Sequence, residues 1–377
     1  MDFMVFQYPM ITVQACLDGL LLGILFALIA YGMALQWGVM NIINIAQGDL
    51  VILGGYIAYF MYLYGIHPAW GVIVSPIIMY FIGVGIYKLV INKVVDRDLF
   101  ISILATFGIS ILFMQLMNFA FGADVVLANS GYGTTMLFDN NVTLPNSKIF
   151  SAVISIVFAI CLVIYMKKSK LGRAIRATAQ NARAAKILGV DTEKVYAATF
   201  GINAALCGVA GALISITFTI HPYMGLPYTI RSFMIVIVAG LGNLPGVAMS
   251  GMGLGVFEEF ADYILGTEFR IGAVFLLLVL IVQEERVFKI MSKNILLYSA
   301  ILIFGLVAPF VFPAFKVQLS ILCVLIVLAT TWNIQGGEMG YNTFGNILFY
   351  GLGMYLCASV QVGMFFPLAE WTESGGE

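Results

Sequence analysis

Charge is the scarcest feature of this sequence. Of its 377 residues only 10% are charged, against 62% hydrophobic, where an ordinary soluble domain carries about 25% charged residues. Mean hydropathy is +1.02, which excludes a surface clothed in polar groups, so the bilayer is the solvent for most of the chain. Histidine is almost missing. The two present, His67 and His221, each sit in a short loop before proline, which argues against a histidine-based metal site or nucleophile. The cysteines Cys16, Cys161, Cys207, Cys323 and Cys357 fall singly in apolar stretches, with no CxxC and no Cys/His cluster. They read as small packing residues rather than metal ligands or disulfide partners. No GxxxxGK[ST] motif occurs, so no ATP site is expected in this chain. The glycine runs Gly201–Gly211 and Gly251–Gly255 lie within apolar spans and read as close helix packing. No basic region precedes the first apolar stretch, so no cleaved signal peptide is expected. With a net charge of −1, nucleic acid is not expected among the partners, and the lipid bilayer is.

What is present is a succession of apolar runs. A transmembrane helix needs about 20 such residues to cross roughly 30 Å of hydrocarbon. Runs of that order are Ala15–Trp37, Ile42–Tyr64, Ala69–Tyr87, Leu99–Phe121, Ile149–Met166, Val195–Ile220, Ile230–Gly240 and Val247–Ile264. They continue at Ile271–Val282, Ile295–Val311, Val317–Trp332 and Ile347–Met364. The short seventh and ninth allow a re-entrant as well as a spanning reading. The predicted fold class is all-α: a polytopic transmembrane helical bundle of about 10–12 hydrophobic segments.

Lysine and arginine in short loops orient such a bundle, because they stay on the cytoplasmic side. Eight of the 18 basic residues lie between Lys167 and Lys194; others cluster at Lys88, Lys93 and Arg97, and at Arg286, Lys289 and Lys293. The connector Gly122–Ser147 carries Asp124 and Asp139 and is expected outside. Counting crossings between these anchors gives one consistent topology, with the N-terminus outside.

The loop Lys167–Lys194 differs from the others. Within it, Ala174–Leu188 carries apolar residues at Ile175, Ala179, Ala182, Ala185 and Leu188, a spacing that predicts one short amphipathic helix. Gly189 suits its C-cap, and Asp191 the opening of the next turn or helix. Such a helix either lies on the membrane surface or docks a cytoplasmic partner.

Polar groups inside apolar spans are costly and therefore informative. Asn41, Asn44 and Gln47 recur every three residues, which on a helix makes one broad polar face, and Asp49 follows about 10 Å into that span at ~1.5 Å per residue. Two readings stay open: a hydrogen-bonded helix contact, or a lining of the translocation path. Glu258, Glu259 and Asp262 cluster towards the outer end of the eighth span, with Arg270 a candidate salt-bridge partner. Gly242–Gly246, with Pro245, predicts a tight turn on the cytoplasmic side.

There is also an internal repeat. A shift of 299 positions brings Gly38 onto Gly337, Leu53 onto Leu352, Gly54 onto Gly353 and Tyr56 onto Tyr355.

Three blocks together resemble the permeases of branched-chain amino-acid type ABC importers, over about residues 10–290. Gly38 to Asp49, followed by Gly54-Gly55-Tyr56, is similar to that family's G…INFAHGE…GSY segment. Gly172-Arg173-Ala174-Ile175-Arg176-Ala177 through Gly189-Val190-Asp191 resembles its ATPase-coupling loop. Gly240-Leu241-Gly242-Asn243-Leu244-Pro245-Gly246 is similar to its GGLGSIPG. Asn333 to Tyr355 resembles instead the N-terminal region of the sister permease. Two departures stand out: Gln47-Gly48-Asp49 where the family often has His-Gly-Glu, and Arg183-Ala184-Ala185 where it often has Glu-Ala-Ala.

The resemblance implies a permease domain at 1–290, joined to an apparently incomplete N-terminal part of a second permease at 291–377. It implies ATP-driven import of a small polar solute, most simply branched-chain amino acids, with urea or amides as alternatives. ABC ATPase subunits would use the ATP, so no cofactor is expected here. A sister permease and an extracytoplasmic substrate-binding protein complete the implied partners, in a bacterial inner membrane. Asn41, Asn44, Gln47 and Asp49 are the pathway candidates. Arg173, Arg176, Arg183, Ala184, Ala185 and Gly189 are the coupling-loop candidates. The rival expectations are an ion-coupled secondary transporter, which needs paired acids near mid-membrane, and a non-transporting scaffold.

Overall fold

The computed structural model describes residues 9–266, apart from 96, 98, 138–141 and 241, together with 272–274 and 276–277. These all lie within one compact unit, Met1–Ile281. The three expected segments from Ile295 to Met364, Arg270 and the region 291–377 lie outside the described residues.

Among the described residues up to 266, ten α-helices are formed: α1 (Pro9–Met40), α2 (Gln47–Leu63), α3 (Gly71–Leu89), α4 (Leu99–Phe121), α5 (Asn146–Lys168), α6 (Lys170–Gln180), α7 (Ala182–Ile187), α8 (Thr192–Thr217), α9 (Gly225–Ala239) and α10 (Leu244–Leu265). Among the described residues, six helical stretches are long and apolar enough to cross a membrane. The fold is thus the expected all-α polytopic bundle, with small differences in helix ends. The connector expected outside adds a two-stranded antiparallel hairpin, β1 (Thr134–Leu137) with β2 (Val142–Pro145), registered Thr134 opposite Pro145. Four-residue strands flanked by apolar helices leave little periodicity to read.

The helix α8 is the axis of the bundle, buried along nearly its whole length. Helix α3 runs antiparallel to it: Gly71 lies near Ala212, Gly208 near Ser75, and Gly83 against Ala204. By contrast α2 runs parallel to α8, pairing Gln47 with Asn203 and Gly54 with Gly208. Helices α1 and α10 cross through Gly19, Gly23, Gly251 and Gly255; a Cβ on Gly255 would lie 2.2 Å from the Gly19 carbonyl oxygen. The glycine runs therefore do what the sequence suggests: without a hydrophobic drive between helices in lipid, close backbone contact supplies the adhesion.

These directions sort the connections to two ends. The segment before the hairpin bridges to the chain beyond α8 through Val126 and Ile220, and Gln14 near the start of α1 bonds the Thr143 backbone. Lys148 at the start of α5 pairs with Asp18 of α1 at 2.7 Å. The basic loop 169–191 lies at the opposite end of α5 and α8, and the antiparallel α3 brings Lys88 and Lys93 to that same end. Charge and geometry agree on which loops belong together.

Candidate functional site

The pathway block does not form one continuous helix. Helix α1 ends at Met40, before Asn41, whose φ of +53° is the left-handed conformation that asparagine tolerates better than most residues. The chain then runs without helix from Asn41 to Ala46, and α2 begins at Gln47. Asn41 and Asn44 therefore lie on this link, not on a helical face, and the three-residue spacing misled. Asp49, expected well inside a span, sits in the first turn of α2.

The depth of that first turn follows from its neighbours. Gln47 Nε2 donates to the Ile29 carbonyl at 3.2 Å, and Ile29 is about 16 Å from the end of α1 at ~1.5 Å per residue. Gln47 also meets Asn203, again about 16 Å into α8 by the same rise. Two independent helices thus place the start of α2 deep in the bundle. The link 41–46 climbs back to reach it.

Irregular backbone at that depth must find its hydrogen bonds inside the protein. Here neighbouring side chains supply them. The Ile45 amide donates to Thr106 Oγ1 of α4 at 3.2 Å, and the Ile43 carbonyl lies 3.2 Å from the same hydroxyl. The Ala46 amide donates to Asn44 Oδ1 at 3.1 Å. From α9, Thr229 Oγ1 donates to the Ile45 carbonyl and accepts from the Gly48 amide, both at 2.8 Å. One hydroxyl thereby closes the link onto the first turn of α2.

A second helix starts at the same place. After the 3-10 turn Pro222–Met224, α9 begins at Gly225, directly against Gly48 and Asp49. A Cβ on Gly48 would fall 1.8 Å from the Gly225 carbonyl oxygen, and one on Gly225 would fall 2.1 Å from Asp49 Oδ1. Two helix N-termini, each carrying positive dipole, thus converge beside the Asp49 carboxylate. Asp49 is buried, and its Oδ2 accepts from Ser110 Oγ of α4 at 2.5 Å.

Behind this junction lies a buried amide cluster. Gln47 and Asn203 form a reciprocal pair, each donating to the other at 2.9 Å. Asn203 Nδ2 also donates to Gln36 Oε1 at 2.5 Å, as does Asn44 Nδ2 at 3.3 Å. Asn44, Gln47 and Asp49 are therefore brought together, whereas Asn41 is exposed at the end of α1 and stands apart. The residues missed by sequence reading are Gln36, Asn203, Thr106, Ser110 and Thr229. Each is a lone polar residue within an apolar span, a signal that needs the partner helix to become legible.

The acid cluster of α10 resolves differently from expectation. Arg231 of α9 donates from Nε to Glu258 Oε1 at 2.7 Å, and Glu258 is fully buried. The pairing partner is therefore on α9, whereas the expected Arg270 lies outside the described residues. Gly240 and Gly242 both adopt positive φ in the α9–α10 turn, and Asn243 caps α10 by accepting from the Gly246 amide, as the turn prediction requires.

The coupling-loop candidates fall on two helices rather than one. Asn181 breaks the predicted helix, because its side chain accepts from the Ala184 amide and so starts α7 anew. Arg173 and Arg176 turn back to the end of α5, donating to the carbonyls of Lys168 and Met166. Ala185 is buried, while Arg183 and Ala184 are exposed. The Gly189 amide bonds the Lys186 carbonyl and the Val190 amide bonds that of Ala185, closing a Schellman motif around a Gly189 φ of +87°. At the tip, Ile187 and Leu188 are 85% and 83% exposed, an apolar pair of which Leu188 belongs to the apolar face that the spacing predicts. Beyond the tip, Asp191 caps α8 by accepting from the Lys194 amide at 3.2 Å, as expected.

Comparison with known proteins fits this arrangement. The family model described as branched-chain amino acid transport system / permease component matches residues 15–283. The chain is 30% identical over 289 residues to the high-affinity branched-chain amino acid transport system permease protein LivH of Salmonella typhimurium, covering 71% of this chain and 92% of that one. It is 26% identical over 284 residues to the corresponding protein BraD of Pseudomonas aeruginosa, with the same 71% and 92% coverage. It is 25% identical over 231 residues to the fructose import permease protein FrcC of Rhizobium meliloti, covering 57% and 62%. No solved structure matches. With a match across most of its length and every block of the site inside it, this chain belongs to the branched-chain amino acid transport system permease family, as a multi-pass membrane protein.

Proposed function

We propose that this permease translocates branched-chain amino acids by alternating access, through a route that passes the junction of α2 and α9. The observation that carries the reading is the convergence of two helix N-termini on a non-helical link at bundle depth. Transporters place their solute sites at broken helices of this kind. Asn44, Gln47 and Asp49 lie at that junction, and Asn41 marks the inner entrance to the link. The chain supplies no ATPase of its own in this reading; ATP is used by ABC ATPase subunits that dock on α6 and α7, with Arg183, Ile187 and Leu188 presented to them. Arg173, Arg176, Ala185 and Gly189 hold the shape of that loop. A sister permease completes the pore, and an extracytoplasmic binding protein delivers solute at the hairpin end, where α1 begins. Residues 291–377 are read as the opening part of a second, related permease, a reading supported by Asn333–Tyr355 and by the family match stopping at residue 283.

The test is uptake of labelled leucine into proteoliposomes holding the chain with candidate ATPase, sister permease and binding protein. ATP-dependent accumulation is expected. Accumulation driven by a proton or sodium gradient without the ATPase would replace this reading with a secondary transporter.

A further inference from the structure

We infer that the outward face of α4 is the seat of the sister permease, and that Gln115 hydrogen-bonds a polar side chain of that subunit. This rests on the importer reading above and adds to it the surface through which the second subunit joins.

Helix α4 is held to the bundle along one side. There Ile109 and Met117 are buried, Thr106 serves the 41–46 link, Ser110 meets Asp49 and Phe121 stacks on Tyr56 with ring centroids 4.4 Å apart. The opposite side carries Leu104, Gly108, Ile111 and Gln115, all exposed, at the four- and three-residue steps that make one helical face. The exposed sides of α3 and α5 differ in kind. On α3 that side is Ile73, Ile77, Ile78 and Phe81, and on α5 it is Val153, Ile156, Val157 and Ile160. Lipid covers such surfaces without loss. Of these three spans, α4 alone exposes a carboxamide among the described residues.

A carboxamide is costly to leave in hydrocarbon without a partner. Gln115 makes no hydrogen bond among the described residues. It lies ahead of the Phe121 end of α4 by about 9 Å at ~1.5 Å per residue. Helical side chains lean towards the N-terminus of their helix. In α4 that is the end beside Lys93, so the lean takes the amide away from the outer headgroups. The remaining remedy is a partner on another helix, since amide side chains join helices in bilayers by hydrogen bonding across them. Small residues let such helices approach, and Gly108 occupies the same face. A Cβ added to Gly108 would meet nothing within 4 Å, so the space before it is open to a side chain from outside.

The occupant follows from position. The turn Pro222–Met224 ahead of α9 packs against α4, and Tyr223 and Leu226 of that segment are 44% and 56% exposed. The Asp49 junction lies behind α4, on the side of Ser110. A subunit seated on α4 therefore covers the flank of the route, the part the importer reading gives to the sister permease. Acyl chains offer Gln115 no hydrogen-bonding group. A second, related permease is also what Asn333–Tyr355 resembles, rather than a copy of this fold's own first helices.

The test places a nitroxide at Ile111→Cys on α4 or at Ile160→Cys on α5, in the full chain without its native cysteines. Each is reconstituted in nanodiscs with and without the candidate sister permease. Oxygen, which concentrates in hydrocarbon, should relax both labels in the chain alone. The sister permease should cut that relaxation severalfold at Ile111→Cys and leave Ile160→Cys unchanged. Gln115→Leu should weaken association of the two subunits by about three- to thirtyfold, the worth of one interhelical hydrogen bond in lipid. The thermal unfolding midpoint of the chain alone should not fall. A two-subunit complex whose α4 label stays open to oxygen overturns the proposal. So does protection in the chain alone, which makes a second copy or another part of this chain the occupant. Relaxation of the α4 label by a water-soluble nickel chelate in the complex overturns it too, making the face a pore wall, as does wild-type association by Gln115→Leu. A complex that protects the α4 label yet drives no ATP-dependent leucine uptake counts instead against the importer reading.

Discussion

At the scale of single residues, the amides decide how the junction is read. Gln47 and Asn203 satisfy each other across two helices, so removing one partner strands a buried polar group at a cost of about 1–3 kcal/mol. Removing both leaves neither member of the pair stranded, with Gln36 Oε1 still accepting from Asn44, and the cost falls. Asn203→Leu alone should therefore lower the thermal unfolding midpoint in detergent, and Gln47→Leu/Asn203→Leu should recover most of it. Uptake should not recover with stability, because the route would have lost its polar lining. A stable double variant that transports at the wild-type rate would reduce these amides to a helix contact, the alternative their spacing left open. The motif announced Asn44, Gln47 and Asp49 from sequence, yet Asn203 stayed hidden, since one asparagine among small apolar residues has no periodicity. Asn41 shows the opposite error: it matched the three-residue spacing but stands at a helix end, because spacing presumes a helix and the helix had stopped.

At the scale of elements, the loop between α5 and α8 combines a rigid base with an exposed tip. Capping by Ser169, Asn181 and Asp191 and the Gly189 turn fix its path, while Ile187 and Leu188 project. An apolar pair so exposed beside basic residues is expected to be covered by a partner. Ile187→Asp/Leu188→Asp should leave thermal stability unchanged and lower ATP-driven uptake and co-purification of the ATPase by about a hundredfold or more, since burying each aliphatic side chain is worth about 1.5–3 kcal/mol. Unchanged co-purification would move the ATPase elsewhere. The α8 cap also makes a pH prediction. Hydrogen bonds from the Lys194 ammonium, then from its backbone amide, hold the Asp191 carboxyl below the ordinary range. A lowered carboxyl stabilises above its unfolded value, about 3.9, and that contribution is lost as pH falls through the folded one. Protection of the Lys194 amide, corrected for intrinsic exchange, should thus hold above that value and fall in acid. Asp191→Asn, which keeps the capping oxygen, should remove the acid arm. The sequence announced the cap and the Gly189 stop because capping is local; it missed the break at Asn181 because asparagine is tolerated in helices as well as at their starts.

At the scale of the whole molecule, what was legible from sequence was the order of the apolar helices among the described residues and which loops share an end, because hydropathy and basic loops are sums over many residues. What was not legible was depth. The starts of α2 and α9 lie inside the bundle only because Thr106, Thr229 and two glycines accommodate their backbone, and those contacts join residues far apart in the chain. Depth and sidedness together give the last prediction. Helix directions put Lys88, Lys93 and the 169–191 loop at one end and the hairpin at the other, and the positive-inside rule makes the basic end cytoplasmic. In a background without the native cysteines, Leu188→Cys should react with a membrane-impermeant maleimide only in inside-out vesicles, and Tyr132→Cys, 38% exposed as tyrosine, only in intact cells. Gln47→Cys, fully buried beside Ile29 and Asn203, should stay unlabelled from both sides at rest and gain reactivity when the ATPase cycles. Labelling of Leu188→Cys from outside would turn the molecule over and remove the ATPase from α7. Constant protection of Gln47→Cys through the cycle would leave the junction closed at every stage, and the route would then have to run along another face of the bundle.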